Sequence, residues 1–532
     1  MLLPYFDLWG PGVGVVVACS LYVLVLYFYD SYGIRKYPGP FTAKFSYAWI
    51  IWVGITGRRS QKIHDAHNRY GPIIRISPCE ISFSDPAVYP VIHSFNSKAA
   101  KSSFYDSFGA IGLRNVFTTR SKTDHGQKRR LLQSLFTVQV AREFTPRTSS
   151  IMTRLIDKWE SRYISSKTGF IWFDCAPWIT LLAFDFIGEF IFGESFGMIE
   201  SGLDSVTVPN DLQFPFVIGK ATDVQHCQVQ TMSLTHLVSM RERYNYPLGL
   251  LPKWWRPVGR RVLRKEVQAA KTFSAFVAYR FAQRLSTTAP HSQDTRDLVG
   301  RFLHKSKVQN EEFKPESLVA DLITILVAGS DTTRNSLIAA LHYLAKSQNA
   351  QHDLQAELDS HMISHVTNYT DIEGLPYLNA CLNETLRLYS PVGIGLPRTV
   401  PHPGMSISGA WVAGGTTVGV PIYTVHRNEA LWGEHPEEFR PGRWLQGDGA
   451  QGLDADALKA FSDGPMRCIG RHLALAQLRV MIASIFIRFD VALEDPENPL
   501  HIEEWFVRKA TKCRIGLRRR RALSPDISAG IH

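Results

Sequence analysis

The chain has 532 residues, 45% hydrophobic and 20% charged, the composition of an ordinary globular protein with enough length for a large core. Its seven cysteines are scattered without a C-x-x-C pair, which argues against a zinc site or a disulfide framework and fits a reducing compartment. Lys and Arg number 59 against 48 Asp and Glu, net +11, so an anionic partner is favoured, a membrane surface or an acidic protein; no reader motif or aromatic–basic platform speaks for nucleic acid.

Leu8 to Tyr29 carries no charge. A helix of about 20 residues crosses a ~30 Å hydrocarbon core, and Tyr5, Phe6, Trp9, Tyr27 and Tyr29 lie towards its ends as interfacial aromatics do. One N-terminal transmembrane helix within residues 1–30 is predicted. A cleaved signal peptide and a buried core helix are the rival readings, weakened by the missing basic start and by the terminal position. Arg35 and Lys36 follow the span and place the remainder on the cytosolic side. Residues 31–45 read as a linker, stiffened by Tyr37-Pro38-Gly39-Pro40, which cannot continue a helix.

Tyr70 to Phe83 reads as two short strands around a turn, a small structural sheet. Lys101 to Phe117 reads as an ordered loop. His125 and Arg129 stand four apart, on one helical face; a solvated basic turn is the plain reading of such a stretch. Phe170 to Phe196 reads as a core helix. Ser205 to Arg264 is the least legible part. Within it, Tyr246 to Trp255 looks like a proline-broken aromatic loop, either packed on the core or lying at a membrane interface beside its Lys and Arg neighbours.

Leu318 to Leu344 has helical apolar spacing, interrupted by Ala328-Gly329-Ser330-Asp331-Thr332-Thr333. Gly and paired Thr are poor helix formers, so a local opening of the backbone ladder is predicted there. Asp331 in so apolar a helix needs a partner or a role; a capping Asp is the plain alternative. Glu384 and Arg387 stand three apart on a helical face, by themselves a surface pair of little worth. Pro391 to Arg398 is an extended apolar run. The sequons at Asn368 and Asn383 are discounted, because a cytosolic domain is not glycosylated and Asn383 falls inside a helix. Phe439-Arg440-Pro441-Gly442-Arg443-Trp444 follows. Phe461 to Gly470 then sets Cys468 in a loop with glycines on both sides and an amphipathic helix behind it. Such a loop can aim backbone N–H groups at one sulfur. The four arginines from 518 to 521 read as the start of a solvated basic tail, residues 519–532.

In this order the cysteine loop, the Ala328–Thr333 stretch, the Glu384–Arg387 pair, the arginine segment and the anchor resemble the cytochrome P450 family, over essentially the whole chain. The resemblance implies a mainly α fold with a small β-region, the cytochrome P450 fold, spanning residues 46–518 behind the transmembrane helix. It implies heme b with Cys468 as the axial thiolate, in a loop shaped by Phe461, Gly464 and Gly470. Thiolate ligation favours O–O cleavage. His125, Arg129 and Arg398 would meet the propionates. Thr332 would hydrogen-bond dioxygen, Asp331 would relay protons through water, and Gly329 would leave room for the oxygen. Glu384, Arg387 and Arg443 would form a structural network behind the cysteine loop. Two positions depart from the family pattern: Met466 replaces a basic residue, with Arg467 beside it, and Gly442 replaces a Glu.

The implied activity is that of a heme-thiolate monooxygenase acting on an apolar small molecule. Electrons are expected from a separate NADPH-cytochrome P450 reductase, since the chain ends without room for one. Lys128, Arg130, Arg467 and Arg471 are candidate docking points for it. Membrane lipid is a further expected partner, and the endoplasmic reticulum the expected location. The wording around Tyr70–Phe83 and Lys101–Phe108 is similar to that of fungal members, which points to tailoring of terpenoid, polyketide or alkaloid skeletons. An isomerase, dehydratase or desaturase without oxygen insertion is the alternative activity. The acid–threonine pair argues against the first two.

Overall fold

Apolar residues at helical spacing build most of the structure. A computed structural model describes residues 32–110, 112–164, 169–210, 227–286, 296–309, 314–363, 369–445 and 455–520, with Gly14, Leu21, Leu24, Val25 and 27–30. The helices that position the site are α1 (Lys122–Gln133), α2 (Val138–Trp159), α3 (Ala176–Phe192), α4 (Leu234–Leu250), α5 (Arg264–Ser286), α6 (Pro315–Lys346), α7 (Gln348–Ser360), α8 (Pro376–Leu388) and α9 (Arg471–Arg488).

The centre is α6, 32 residues long, with Pro315 at its first turn and Lys346 in its last, each where helix termini favour it. It packs against α3, α8 and α9. Apolar almost all round, α3 is accordingly buried almost all round. Its Asp185 accepts the N–H groups of Met198 and Ile199 at 3.0 and 2.8 Å, so even that carboxylate has a structural use.

A five-stranded sheet runs in the order Ile73–Ser77, Glu80–Phe83, Thr417–Gly419, Arg398–Thr399, Ala100–Lys101. Its joins are antiparallel except the parallel one between Glu80–Phe83 and Thr417–Gly419. At its edge Lys101 pairs with Arg398, which brings two cations side by side. A three-stranded sheet of Phe489–Leu493, Arg514–Arg519 and Ile171–Asp174 ties the end of α9 to the start of α3. The hairpin His501–Glu504/Arg508–Lys512 carries the Trp505–Val507 turn into the interior.

The architecture is mainly helical with small sheets. Several local expectations change. Phe170 to Phe196 begins as a strand before the core helix. Tyr246 to Leu250 is the last turn of α4 rather than a loop, with Pro247 inside it and Tyr246 wholly buried under an Arg59 hydrogen bond of 2.8 Å. Only beyond it do Trp254 and Trp255 stand exposed, at 60% and 45%. The arginines at 518, 519 and 520 are not a solvated tail: they pair with Asp490, Glu160 and Asp359. Arg521 to His532 lies outside the described residues, as do Asn368 and most of the stretch from Leu8 to Tyr29. Among the described residues no helix is long and apolar enough to cross a membrane.

Candidate functional site

The cysteine loop is closed by its own backbone: Cys468 N–H donates to Phe461 O at 2.8 Å. Two residues before Gly464, Ser462 takes φ 57°, and its hydroxyl accepts from Tyr89 OH at 3.0 Å. Gly464 has φ 68°, and a Cβ there would overlap the His93 carbonyl oxygen, so glycine is required twice over. Gly470 has an ordinary φ of −83°; its value is proximity, since a Cβ would lie 4.0 Å from Cys468 Sγ. Cys468 opens onto a cavity but sits deep in the protein. Burial pushes its thiol pKa up, while the Gly470 N–H, Arg129 and Arg471 act against that. Phe461 lines the same cavity under the Arg471 guanidinium, 5.9 Å from its ring centroid.

Beside the loop lies a hollow lined by His93, His125, Arg129, Arg398, Met466 and Arg467 among others, with no acid on its wall among the described residues. His125 and Arg129 share one face of α1, and Arg398 comes from the strand next to the sheet edge. Arg129 Nη1 donates to Arg467 O at 2.8 Å. Arg398 donates to Met466 Sδ at 2.7 Å and lies against His93 Nδ1 at 3.3 Å. Met466 thus seats the arginine instead of adding a charge. His93 and Lys101, absent from the sequence reading, belong to the same cluster. Lys101 Nζ donates to the carbonyls of Val116 and Phe117 at 3.1 and 2.6 Å.

These groups repel one another. Burial first, then Arg398 and Arg129, bring the Lys101 pKa down to about 6. Burial, then Lys101, Arg129 and Arg398, bring His125 to about 3. His93 is held well below its ordinary value by burial and Arg398, and its Nε2 has no hydrogen-bond partner. A group bearing two carboxylates would satisfy that orphaned nitrogen and relieve the repulsion. The residues present therefore fit heme b, whose propionates this hollow would hold.

Across the cavity from Cys468 stands the middle of α6. The expected opening is absent: the helix is continuous, and the hydroxyls bond back to its own carbonyls. Thr332 Oγ1 donates to Ala328 O at 2.7 Å and Ser330 Oγ to Leu326 O at 2.8 Å. Ala328, not Gly329, is on the cavity wall. A Cβ on Gly329 would come 2.5 Å from Ile187 Cδ1, so this glycine makes room for the α3–α6 crossing, not for oxygen.

Asp331 does have a partner, one no local pattern announced. Lys509 Nζ stands 3.5 Å from Asp331 Oδ2 and 2.6 Å from Glu242 Oε2. Glu242 Oε1 in turn accepts the N–H groups of Phe506 and Val507 at 3.1 and 2.9 Å. Burial opposes the Lys509 charge, but Asp331 and Glu242 outweigh it and its pKa is raised. Burial pushes Glu242 up, with Lys509 pulling against it. The cavity, about 270 Å³, is otherwise largely apolar: Pro391, Val392 and Leu396 from the extended run and Phe506 and Val507 from the turn all face it.

Behind the loop, Glu384, Arg387 and Arg443 meet in the interior. Arg387 makes a two-pronged pair with Glu384 at 2.8 and 2.9 Å, and Arg443 Nε donates to the same carboxylate at 2.9 Å. Trp444 Nε1 and the Arg440 N–H also donate to it. Arg387 further donates to the carbonyls of His426 and Pro436 at 2.8 and 2.6 Å. With Glu384 and Arg387 wholly buried, this is no surface pair. His426 extends it, by a contact the sequence reading missed: its Nε2 accepts the Lys459 N–H, two residues before Phe461.

The family model described as Cytochrome P450 matches residues 38–517. Benzoate 4-monooxygenase bphA of Aspergillus niger is 29% identical over 516 residues, covering 94% of this chain and 96% of the relative. The cytochrome P450 monooxygenase cicH of Emericella nidulans is 27% identical over 506 residues, covering 92% and 95%. The cytochrome P450 monooxygenase gsfF of Penicillium aethiopicum is 26% identical over 493 residues, covering 91% and 93%.

Proposed function

The chain belongs to the cytochrome P450 family and is an oxidoreductase of the monooxygenase type, and from that premise we propose that it hydroxylates or otherwise oxidises a small, largely apolar organic molecule in fungal secondary metabolism. The observation that carries this reading is a largely apolar cavity lined by both Cys468 and the Asp331–Thr332 pair.

In this reading Cys468 would ligate the iron of heme b, and Arg129, Arg398, His125 and Arg467 would hold its propionates. Heme b, once bound there, supplies dioxygen activation, which a thiolate ligand promotes. The remaining work falls to the chain. The apolar wall from Pro391 to Leu396 and the Phe506–Val507 turn hold the substrate and exclude water. Thr332 keeps its hydroxyl oxygen towards the cavity and passes a proton by turning away from the Ala328 carbonyl. Asp331 resupplies that proton through water, and Lys509 holds its carboxylate ready between turnovers. Glu384, Arg387, Arg443 and His426 fix the cysteine loop from behind.

Electrons arrive from an NADPH-dependent flavoprotein reductase whose acidic face meets Lys128, Arg130, Arg467 and Arg471. Arg467 and Arg471 are exposed beside Cys468, and charge complementarity of this kind raises association rates. Residues 8–29 anchor the enzyme in the endoplasmic reticulum, and Trp254 and Trp255, next to Arg260 and Arg261, rest in the lipid interface.

Product analysis tests this. Cells co-expressing the chain and a reductase are fed apolar skeletons under isotopically labelled dioxygen. Benzoate belongs in the first panel, being the substrate in the Aspergillus niger relative's name. One labelled oxygen atom in the product is the expected result. Conversion without label would instead make this a desaturase, isomerase or dehydratase.

A further inference from the structure

The largely apolar cavity has one wall that does not suit an apolar ligand. Arg241 on α4 lines it and is only 7% exposed. Among the described residues its guanidinium donates no hydrogen bond and meets no carboxylate; its guanidinium carbon stands 5.9 Å from the Phe273 ring centroid. The acid beside it in the chain, Glu242, is committed to Lys509 and to the Phe506 and Val507 N–H groups. One helical turn on, Asn245 lines the same cavity, 2% exposed, and its Nδ2 has no partner either. Residues four apart share a helix face, so the orphaned donors are neighbours.

Burial lowers the Arg241 pKa to about 10, with Glu242 pulling it back up, so the side chain is still charged at neutral pH. A buried charge without a counter-ion is costly, and an unsatisfied buried amide adds to the cost. Such a pair is stable in a fold when something entering the cavity completes it. A neutral carbonyl would satisfy the hydrogen bonds and leave the charge. A carboxylate satisfies both: its two oxygens match the guanidinium fork, with a lone pair left for the amide.

We propose that the substrate of this enzyme is an organic carboxylic acid, anchored by Arg241 and Asn245 on α4 while its apolar part fills the cavity shared with Thr332 and Cys468. This rests on the cavity being the oxidation site. Arg241 is then the specificity-determining residue. Apolar surface and one anionic end together select acids over their neutral esters, amides and hydrocarbons. Because Lys509 ties Glu242, the next residue along, to Asp331, the same helix that holds the acid also touches the proton-delivery group.

The test uses the full-length holoenzyme and a ligand series that does not require knowing the substrate skeleton: imidazolyl-alkanoic acids of increasing chain length, each with its methyl ester. The imidazole ligates the heme iron and gives a spectral titration, while the tail samples the cavity. At one or a few chain lengths the acid is expected to bind about 10- to 100-fold more tightly than its ester, the worth of a charge-assisted hydrogen-bonded pair. Arg241→Met should remove that preference and leave ester binding intact. Arg241→Lys should keep part of it, and Asn245→Leu should reduce it. Acids binding no better than esters at every length would overturn the proposal, as would an unchanged preference in Arg241→Met. The carbon monoxide difference spectrum is read on every variant. Loss of the thiolate-type band in the wild type would sink the heme-thiolate reading itself and this proposal with it, whereas an intact band without acid preference sinks the proposal alone.

Discussion

His426 Nε2 accepts the Lys459 N–H at 2.9 Å. The other ring nitrogen lies 3.0 Å from both Ser390 Oγ and Arg387 O, so one buried imidazole joins the Glu384–Arg387–Arg443 cluster to the chain entering the cysteine loop. Burial and the flanking Arg387 and Arg427 hold its pKa well below the ordinary value, which keeps it neutral and able to accept. His426→Leu strands buried backbone groups at both ends. Each is worth about 1–3 kcal/mol, so a loss of about 2–6 kcal/mol is expected, with heme content falling before helix content. Heme per protein against circular dichroism in a denaturant series measures it.

Gly329→Ala separates packing from catalysis. The added methyl meets Ile187, and overpacking of this kind costs about 1–3 kcal/mol. Ile187→Val in the same chain should restore most of the stability and the activity. If Gly329 served to make room for oxygen, stability would be unaffected by the alanine and the second substitution would rescue nothing.

Thr332→Ala is expected to keep reductant consumption while product falls and peroxide rises, because a proton reaches the oxygen too late. Lys509→Met should act on the same step from further away. It leaves Asp331 and Glu242 buried without their shared cation, an arrangement that is costly. Turnover should fall about tenfold or more with KM little changed, a larger solvent deuterium effect and partial recovery in Lys509→Arg, an expectation drawn from the usual size of acid–base contributions. A KM effect alone, with the isotope effect unmoved, would make Lys509 merely structural.

The hollow makes the stability of the heme-free protein pH-dependent in a stated direction. Lys101 falls from 10.5 to about 6 and His125 from 6.5 to about 3 in the fold. Both are bases with depressed values, so the unfolded chain takes up protons first. Stability is highest above the unfolded values and declines as pH drops, from about 10.5 to 6 through Lys101 and from about 6.5 to 3 through His125. Binding a dianion should flatten that slope. Urea unfolding of heme-free and heme-loaded protein between pH 6 and 9, about the range where Lys101 dominates, gives the comparison.

At the membrane, Trp254→Ser with Trp255→Ser should reduce quenching of tryptophan fluorescence by brominated lipid in the full chain, without changing heme content. Unaltered quenching would place both side chains in water.

His125 and Arg129 lie one helical turn apart and Glu384 and Arg387 share a face, so the pairs were legible in the sequence. Spacing alone, however, read them as a solvated turn and a surface pair. Only the resemblance of the whole motif order, with the continuous loop around Cys468, gave them roles. What stayed hidden comes together only through tertiary contacts. Lys509 reaches Asp331 from a hairpin near the end of the chain, and Lys101 meets Arg398 by pairing across a sheet edge. Glu242, Arg241 and Asn245 lie in the stretch that was hardest to read. There the mixed burial of α4, with core on one side and cavity on the other, erased its apolar period. Gly329 was misread for a different reason: a motif names a residue but not the direction its missing side chain would point. Arg518 to Arg520 looked like a tail because charge runs usually are, and only the facing acids show otherwise.

The cationic hollow also bears on how much of this enzyme a cell can keep. A newly made chain that has not met its cofactor holds Arg129, Arg398, Lys101 and His125 facing one another with nothing between them. Such chains open more often, and opened chains are taken by proteases. The quantity of enzyme would then follow porphyrin and iron supply even under constant transcription. Iron starvation should deplete the cell of the polypeptide itself, and not only of its colour.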